Sequence, residues 1–593
     1  MKRDNGTVSN IKIVSELMLR LLPAQVLLVA VGSVNGIVSS LFASNFLGPE
    51  AMSAVGLCSP LNMLMVSVST VIMGGSVIIC GQYMGKDMEE RLQDVFSADL
   101  TWALIFAAGF TALFVPASLF DLTGFLTRDA SIRPLLNSYM LGQAAGIVPL
   151  LAGNTFAAFL SMENRTRRTY AASILYIVSN AVLNFLFVVR LKAGIFGLAL
   201  ASSLGGWIFL AFNASAFLSR NSRLRIRAGS IRGDVSGDIF RIGLPGAASN
   251  VYQTARGLIV NRLIEAFVGS MGISAFAASD TVMRVFWAIP GGMLAVSRLM
   301  MSVSAGEEDR QTLTDVMRVM FRRYLPLMCA VSAGIILCAE PFSSIFYRDP
   351  SSAVHIMTVW GFRILPLCMP LSVIYMHFSC FYQLTDRSFL VHLLALLDGV
   401  VSVVVFSAVL IPSMGMNSVY VSNVLNGVVT TIVIAAFAWI RAGHIPKNME
   451  ELMVIPRELG APEDMRLDLS VDSMEEVLTI AETLQAFCLS KGIDEKRSYI
   501  AALCTEEMAG NIVSHGFTKD GRRHSIDVRA VVKDEEVILR IRDDCVPFDP
   551  YERSRLTEGD DILKNIGIRM VFACARDVQY KNILGLNALT IRI

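Results

Sequence analysis

The chain has little charge for its length. Only 17% of its 593 residues are Asp, Glu, Lys or Arg, it holds six histidines, and hydrophobic types make up 54%. Soluble domains carry about 25% charged residues, so a single soluble enzyme is excluded, as are fibrous and disordered chains. No CxxC pair occurs among the ten cysteines, and none has a His at metal-ligand spacing. They read as reduced, buried small hydrophobes. No GxxxxGK[ST] loop is present, which disfavours ATP-driven pumping through a P-loop. The polar start MKRDNGTVSNIKIVSE leads into an apolar stretch with no small-residue cleavage site, so it is not read as a signal peptide.

The net charge of +1 conceals an asymmetry. Before Lys447 there are 31 basic and 23 acidic residues; from Lys447 onward there are 20 and 27. Charged residues rise there from about 12% to about 32%. A membrane part is followed by an ordinary globular one.

Crossing ~30 Å of hydrocarbon at 1.5 Å per residue takes about twenty apolar residues. Twelve spans are expected, near 14–42, 53–80, 95–119, 135–161, 169–190, 194–218, 241–267, 273–302, 318–340, 354–382, 389–411 and 416–440. With the amino terminus inside, inner segments hold 19 Lys/Arg and outer loops five (Arg128, Arg133, Arg190, Lys192, Arg348). This bias predicts a plasma-membrane protein with both termini cytoplasmic. A shift of 221 residues places Gly36 on Gly257, Gly48 on Gly269, Ala54 on Ala275, Gly85 on Gly306 and Pro149 on Pro370. The pattern predicts two six-helix bundles, 1–218 and 239–442, joined by a basic linker, 219–238. Such a duplication, with its pseudo-two-fold axis along the membrane normal, suits alternating access.

Phe46-Leu47-Gly48-Pro49-Glu50-Ala51-Met52-Ser53-Ala54-Val55-Gly56-Leu57 resembles the segment after helix 1 of multidrug and toxic compound extrusion (MATE) transporters. Gly74-Gly75-Ser76-Val77 with Gly81-Gln82-Tyr83-Met84-Gly85-Lys86 resembles their end of helix 2, and Ile242-Gly243-Leu244-Pro245 their start of helix 7. The resemblance covers about 430 residues and implies Na+- or H+-coupled export of a small molecule. Two departures stand out. Ser39 occupies the place of the family's helix 1 Asp, and Phe185-Leu186-Phe187 follows Asn184 where many members carry LNxxLDP. The amino-terminal bundle thus lacks the usual coupling carboxylates. Asn180 and Asn184, four apart on one face, either ligate a cation or substrate or bond neighbouring helices.

Ionisable groups at membrane depth are functional candidates. They cluster in the second bundle: Arg256, Arg262, Glu265, Asp280, Arg284, Arg298, Arg363 and Asp398. Arg262/Glu265 and Asp280/Arg284 have pairing spacings. Arg256, Arg298 and Arg363 then remain against Asp398, which predicts a net positive cavity and an anionic or zwitterionic substrate.

A linker, 443–464, precedes a globular domain, 465–593. Ser473 with Glu476 forms a capping box, opening a helix to about Lys491, and Asp494 caps a second helix to about His515. Strands at 525–533 and 536–543, a helix near 562–575 and strands at 577–581 and 587–593 complete an α+β sandwich, one antiparallel sheet with helices on one face. Glu507, Asn511 and His515 follow at i, i+4 and i+8, a stripe suited to Mg2+ and a nucleotide's phosphates. Asp543-Asp544-Cys545-Val546-Pro547-Phe548-Asp549-Pro550, Asn565-Ile566-Gly567-Ile568-Arg569 and Leu586-Asn587-Ala588-Leu589-Thr590 resemble the boxes of anti-sigma-factor serine kinases, a branch of the histidine-kinase-like ATPases. That resemblance implies Glu507 as general base, Asn511 as Mg2+ ligand and Asp543 as reader of the adenine amino group, with Gly567 and Thr590 in the ATP site. Cys545 and Asn565 replace box glycines.

The leading expectation is a cation-antiport efflux transporter with a cytoplasmic regulatory ATP-binding domain. Alternatives are a membrane-bound serine kinase acting on an anti-sigma-antagonist-like protein, and a lipid or lipid-linked-substrate flippase. No nucleic-acid partner is expected. The acidic domain is expected to contact the basic Arg220–Arg232 linker.

Overall fold

The computed structural model describes residues 11–86, 88–125, 132–163, 165–217, 224, 233–517, 519, 524–533, 536–550, 566–583 and 585–593. Its helices are α1 (Ile11–Phe42), α2 (Pro49–Lys86), α3 (Glu89–Leu119), α4 (Arg133–Ala144), α5 (Ile147–Met162), α6 (Thr166–Asn184), α7 (Gly194–Ala214), α8 (Gly233–Phe267), α9 (Ser270–Phe286) and α10 (Ala288–Gly306). They continue through α11 (Arg310–Val319), α12 (Leu325–Leu337), α13 (Ala339–Phe346), α14 (Ala353–Ile364), α15 (Cys368–Leu384), α16 (Ser388–Leu396), α17 (Ser402–Met414) and α18 (Asn417–Ala442). Among the described residues, ten helical stretches are long and apolar enough to cross a membrane, and the α4–α5 pair, bent by 41°, makes an eleventh if it is one span. The twelfth expected span is α8. It is 35 residues long, but Asn250, Gln253 and Arg256 make its middle more polar than the other spans.

The internal repeat is visible in the backbone. Gly48 at φ 90° donates its N–H to the Ala43 carbonyl at 3.1 Å, and Gly269 at φ 84° donates to the Ile264 carbonyl at 2.9 Å. Both pairs differ by the same 221 residues. Only glycine takes this φ without strain, so each serves as a fixed elbow between helices. The repeat-related glycines also meet. A Cβ on Gly85 would lie 2.5 Å from the Val303 carbonyl oxygen, and one on Gly306 would lie 2.1 Å from that of Gln82. Such reciprocal contact is what a two-fold axis demands. Here α2 closes on α10 at the end of the helices that carries the C-terminal domain.

A short helix, α19 (Met449–Met453), packs against α11 and α18. The globular part then contains β1 (Arg466–Val471), α20 (Met474–Ser490), α21 (Glu495–Asn511), β2 (Ile526–Lys533), β3 (Glu536–Asp543), α22 (Ile566–Cys574), β4 (Asp577–Ile583) and β5 (Leu586–Arg592). The sheet is antiparallel in the order β1-β2-β3-β5-β4. Alternation sets its faces. Ile526, Val528, Ala530, Leu539, Ile541, Leu589 and Ile591 are buried with Val477, Leu484 and Cys504 of the helices. Asp494 caps α21 by accepting the Arg497 N–H at 2.9 Å. The capping box at α20 is replaced: Glu476 accepts the N–H of Asp472, one residue before the cap, at 2.7 Å, and the Ser473 side chain makes no capping bond. Strand β1 is additional to the expected elements.

Candidate functional site

In the amino-terminal bundle, Asn180 and Asn184 are fully buried. Asn180 donates to the Asn35 side-chain oxygen at 2.9 Å, and Asn184 donates to that of Asn180 at 2.9 Å. Ser202 donates to the same Asn180 oxygen at 3.2 Å and lies 3.1 Å from Ser39. The network joins α1, α6 and α7 through amides and hydroxyls alone. Asn35 Nδ2 and Asn184 Oδ1 are left without partners, which in an apolar interior costs about 1–3 kcal/mol each. The helix gives way to a π turn at Phe185–Arg190, immediately beyond Asn184, a deviation frequent at functional positions.

The ionisable residues of the second bundle do not converge on one point. Asp280 and Arg284 pair at 2.7 Å. Arg262 and Glu265 are both exposed and form no ion pair among the described residues. Arg363, expected to be unpaired, is held at 3.0 Å by Glu340 of α13 and lies over the Trp360 ring. A carboxylate from the neighbouring helix removes it from the set of free cations. Arg256 donates to the Asp398 backbone carbonyl at 3.3 Å, and the Asp398 carboxylate accepts from Asn426 at 2.8 Å. Asp398 lies in a π turn, Leu397–Val401. Arg298 is set between the bundles near Gly74 of α2, with its Nε buried and without a partner.

In the C-terminal domain Asp543 ends β3 on the helix-covered face. Its Oδ1 accepts from Asn587 Nδ2 at 2.8 Å and from the Cys545 N–H at 2.9 Å. Burial pushes its carboxyl up, while those two donors oppose the shift. Asn587 also donates to the Cys545 carbonyl at 3.1 Å and accepts from Tyr580 at 2.7 Å. Glu507 lies against Gly567, where a Cβ would fall 1.9 Å from its Oε2. The glycine therefore leaves room for the Glu507 carboxylate against the first turn of α22. Two expected residues stand elsewhere. The α-helix ends at Asn511 and a π turn covers Ile512–Gly516, which rotates the exposed His515 off the i+8 line. Thr590 pairs with Arg540 in register and with Gln579, on the sheet face opposite Asp543. The β5 residue beside Asp543 is Asn587. For a magnesium nucleotide, Glu507 and Asn511 are the right donor types one turn apart, and Asp543 takes its two internal hydrogen bonds on Oδ1.

The opposite sheet face is buried against the helical part through a network of six arginines and six carboxylates. Arg529 Nη1 donates to both Asp309 oxygens at 2.6 Å, its Nη2 meets Asp527 at 2.8 Å and its Nε meets Asp468 at 3.0 Å. Arg542 reaches Asp309 at 2.8 Å and also Glu307, and Arg540 reaches both at 3.6 Å. Asp315, 3.7 Å from Arg529, pairs with Arg318 at 2.9 Å. Glu450 links Arg310 at 3.2 Å to Arg466, and Arg466 lies 3.7 Å from Asp468. Burial alone would push Asp309 up, but Arg529, Arg542 and Arg540 override it and hold its carboxyl far below the usual range. Burial pushes Asp468 up to about 6, with Arg529 opposing. Glu307 and Asp309 lie in the turn between α10 and α11, directly beyond the Gly85–Gly306 contact. The expected contact with the basic linker falls outside the described residues apart from Leu224. The contact that is described has the opposite sign, with domain arginines on acidic groups of the helical part.

Sequence reasoning missed three features. The dock's charges alternate with apolar residues, as on any solvated strand face. Asp99 of α3 is fully buried and accepts from Thr155 at 3.1 Å; the count of charges at membrane depth passed it over. His524, twenty positions from Asp544, meets it at 2.9 Å beside Cys545, a grouping that chain spacing does not reveal.

The helical part is therefore a multi-pass membrane fold with duplicated halves, and the last part an α+β domain with one antiparallel sheet. Family models match a stretch of each part. The MatE model matches residues 26–186, and the Histidine kinase-like ATPase domain model matches 471–593. No curated protein matches the chain. Among solved structures, a MATE in complex with MaL6 is 21% identical at a TM-score of 0.68, covering 76% of this chain and 100% of its own. An outward-facing multidrug resistance MATE transporter of the MOP superfamily gives the same values. A MOP superfamily transporter from Pyrococcus furiosus, described by a reversed polarity of its binding pocket, is 21% identical at 0.67, with 76% and 99% covered. The chain joins a MatE domain with the MATE transporter fold to a histidine-kinase-like ATPase domain.

Proposed function

We propose that the chain is a secondary-active exporter working by cation antiport, with both termini cytoplasmic, and that its ATPase-like domain regulates it from the cytoplasmic side. Residues 1–218 and 239–442 act as the two rocking bundles and 465–593 as the regulatory unit. The observation that carries this reading is the dock: a buried ionic network grips the α10–α11 turn next to the contact by which α2 closes on α10. A nucleotide-dependent change in β3 is thereby in position to favour or oppose closure. ATP would be held by Asp543, with Asn511 on Mg2+ and Glu507 beside it. Transfer of phosphate to a partner protein is not part of the reading.

The substrate is anionic or zwitterionic. Arg298 between the bundles, with an unpartnered Nε, and Arg256 beside Asp398 favour this, whereas Asp280/Arg284 neutralise each other. The test uses proteoliposomes with an imposed ion gradient and a matched pair of cationic and anionic dyes. Gradient-driven movement of the anionic dye, lost in Arg298→Gln, is expected. Preferential movement of the cationic dye, unchanged in Arg298→Gln and Arg256→Gln, would sink the substrate assignment, and movement requiring ATP hydrolysis would sink the antiport reading.

A further inference from the structure

The coupling carboxylates expected of the amino-terminal bundle are missing around Asn180 and Asn184, yet one carboxylate of this bundle is wholly buried. Asp99 sits about a third of the way along α3, where α2 and α5 cover it. One oxygen accepts from Thr155 at 3.1 Å; the other has no partner. Ser76 of α2, also fully buried and without a well-formed hydrogen bond, faces the carboxylate. The titratable group facing it from α2 is Cys80, fully buried, and α5 contributes only Thr155. No cation meets it among the described residues: Arg91 of α3 pairs instead with Asp234 of α8 at 2.9 Å, at the exposed end.

A carboxylate in hydrocarbon with one donor and no counter-ion is far costlier than its neutral acid. A metal cation of sodium's type needs about five or six oxygen ligands, and this site offers one carboxyl and two hydroxyls. We propose that Asp99 carries the exchangeable proton of the amino-terminal bundle, bound while α2 is closed on α8 and α10 and released when that seam opens. The helix covering Asp99 is the one that seals the seam. Gly75, next to Ser76, packs on the Ile239 carbonyl of α8, where a Cβ would lie 2.1 Å from its oxygen. Gly81, next to Cys80, packs on Ser302 of α10, with a Cβ at 1.9 Å from its hydroxyl. When α2 leaves these partners, water reaches the carboxyl, accepts its proton, and leaves a carboxylate solvated by Thr155, Ser76 and that water.

The direction of proton flow rests on the exporter reading; proton occupancy does not, and is tested alone. Infrared difference spectra of the purified full-length protein at pH 7 are expected to contain a protonated carboxyl C=O band. Asp99→Asn should remove it, Thr155→Val should move it by deleting its hydrogen bond, and transfer into D2O should shift it. Asn is nearly isosteric, and a monodisperse gel-filtration profile verifies folding of each variant. A spectrum unchanged by Asp99→Asn, or a band that Thr155→Val leaves in place or that never shifts in D2O, overturns the proposal. An intact, exchangeable band without gradient-driven transport would overturn the exporter reading instead.

Discussion

Neutralising Asp309 is the sharpest perturbation of the dock. This residue caps α11, accepting the Thr312 N–H at 2.9 Å, and receives Arg529 at 2.6 Å and Arg542 at 2.8 Å. Asn is itself a good cap, so Asp309→Asn removes the charge while sparing the helix start. At an effective dielectric constant of about 20, a charge pair at this separation attracts by about 6 kcal/mol before desolvation. Removing one member of a buried pair costs about 3–5 kcal/mol, because the other charge stays buried and uncompensated. The ratio of docked to undocked domain should fall roughly a hundred- to several-thousand-fold. Hydrogen–deuterium exchange of the peptide over residues 307–316 in the full-length protein reads this directly, since its amides become accessible on undocking. Peptides over α20 and α21, which pack in the domain's own core, serve as the unchanged reference. Exchange over 307–316 accelerated by less than about fivefold, roughly 1 kcal/mol, would refute the reasoning. A double-mutant cycle with Arg542→Gln should show non-additivity, as expected for groups in one network.

Three further outcomes follow from the same structure. Asp468 is raised to about 6 by burial, so the folded state takes up a proton between about pH 4 and 6; that contribution to stability grows as pH falls from 7 to 5. Asp309, held low, gives a contribution present above about pH 4 and lost only well below it. The melting temperature should accordingly rise between pH 7 and 5, and a fall would count against Asp468 as the titrating group. Gly306→Val places side-chain atoms where a Cβ alone would lie 2.1 Å from the Gln82 carbonyl; it should prevent α2–α10 closure, read as faster maleimide labelling of the buried Cys80, and unchanged labelling would place the seam elsewhere. Asp543→Asn should weaken ATP binding by about ten- to a hundredfold, the worth of a charge-assisted hydrogen bond, measured calorimetrically on the full chain; an unchanged Kd would remove Asp543 from the adenine site.

Membrane part, internal repeat and nucleotide-type domain were legible because each leaves a one-dimensional trace. Span length, the 221-residue shift and the box residues are properties of the chain alone. The equivalence of Gly48 with Gly269, and the reciprocal packing of Gly85 and Gly306, turn that shift into geometry. Partners were not legible. Arg363 looked unpaired because Glu340 is twenty-three positions away on another helix, and Thr590 was assigned to the ATP site from its box although strand alternation puts it on the other face. His515 failed for a local reason: an i+8 relation assumes an unbroken α-helix, and the π turn after Asn511 breaks it.

The dock explains why net charge misled about the contact between the two parts. A domain with a surplus of acidic residues suggested a basic landing site, but an interface sees one face rather than a sum. On β2 and β3 the buried charged residues opposite the core are Asp527, Arg529, Arg540 and Arg542, three cations and one anion, and they meet Glu307, Asp309 and Asp315; the exposed Lys533 of the same face adds a pair with Glu308. Leaving that pair aside, with Arg310, Arg318, Arg466, Glu450 and Asp468 the set balances, six of each sign. Apolar residues of similar size would bind the faces as tightly or more so. Ionic pairing instead fixes one register of the sheet on the α10–α11 turn, because a shift of one residue would bring Ile541 and Leu539 to the carboxylates and bury the arginines in the core. It also leaves the contact sensitive to proton uptake at Asp468, a property that an apolar interface between the same two surfaces would lack.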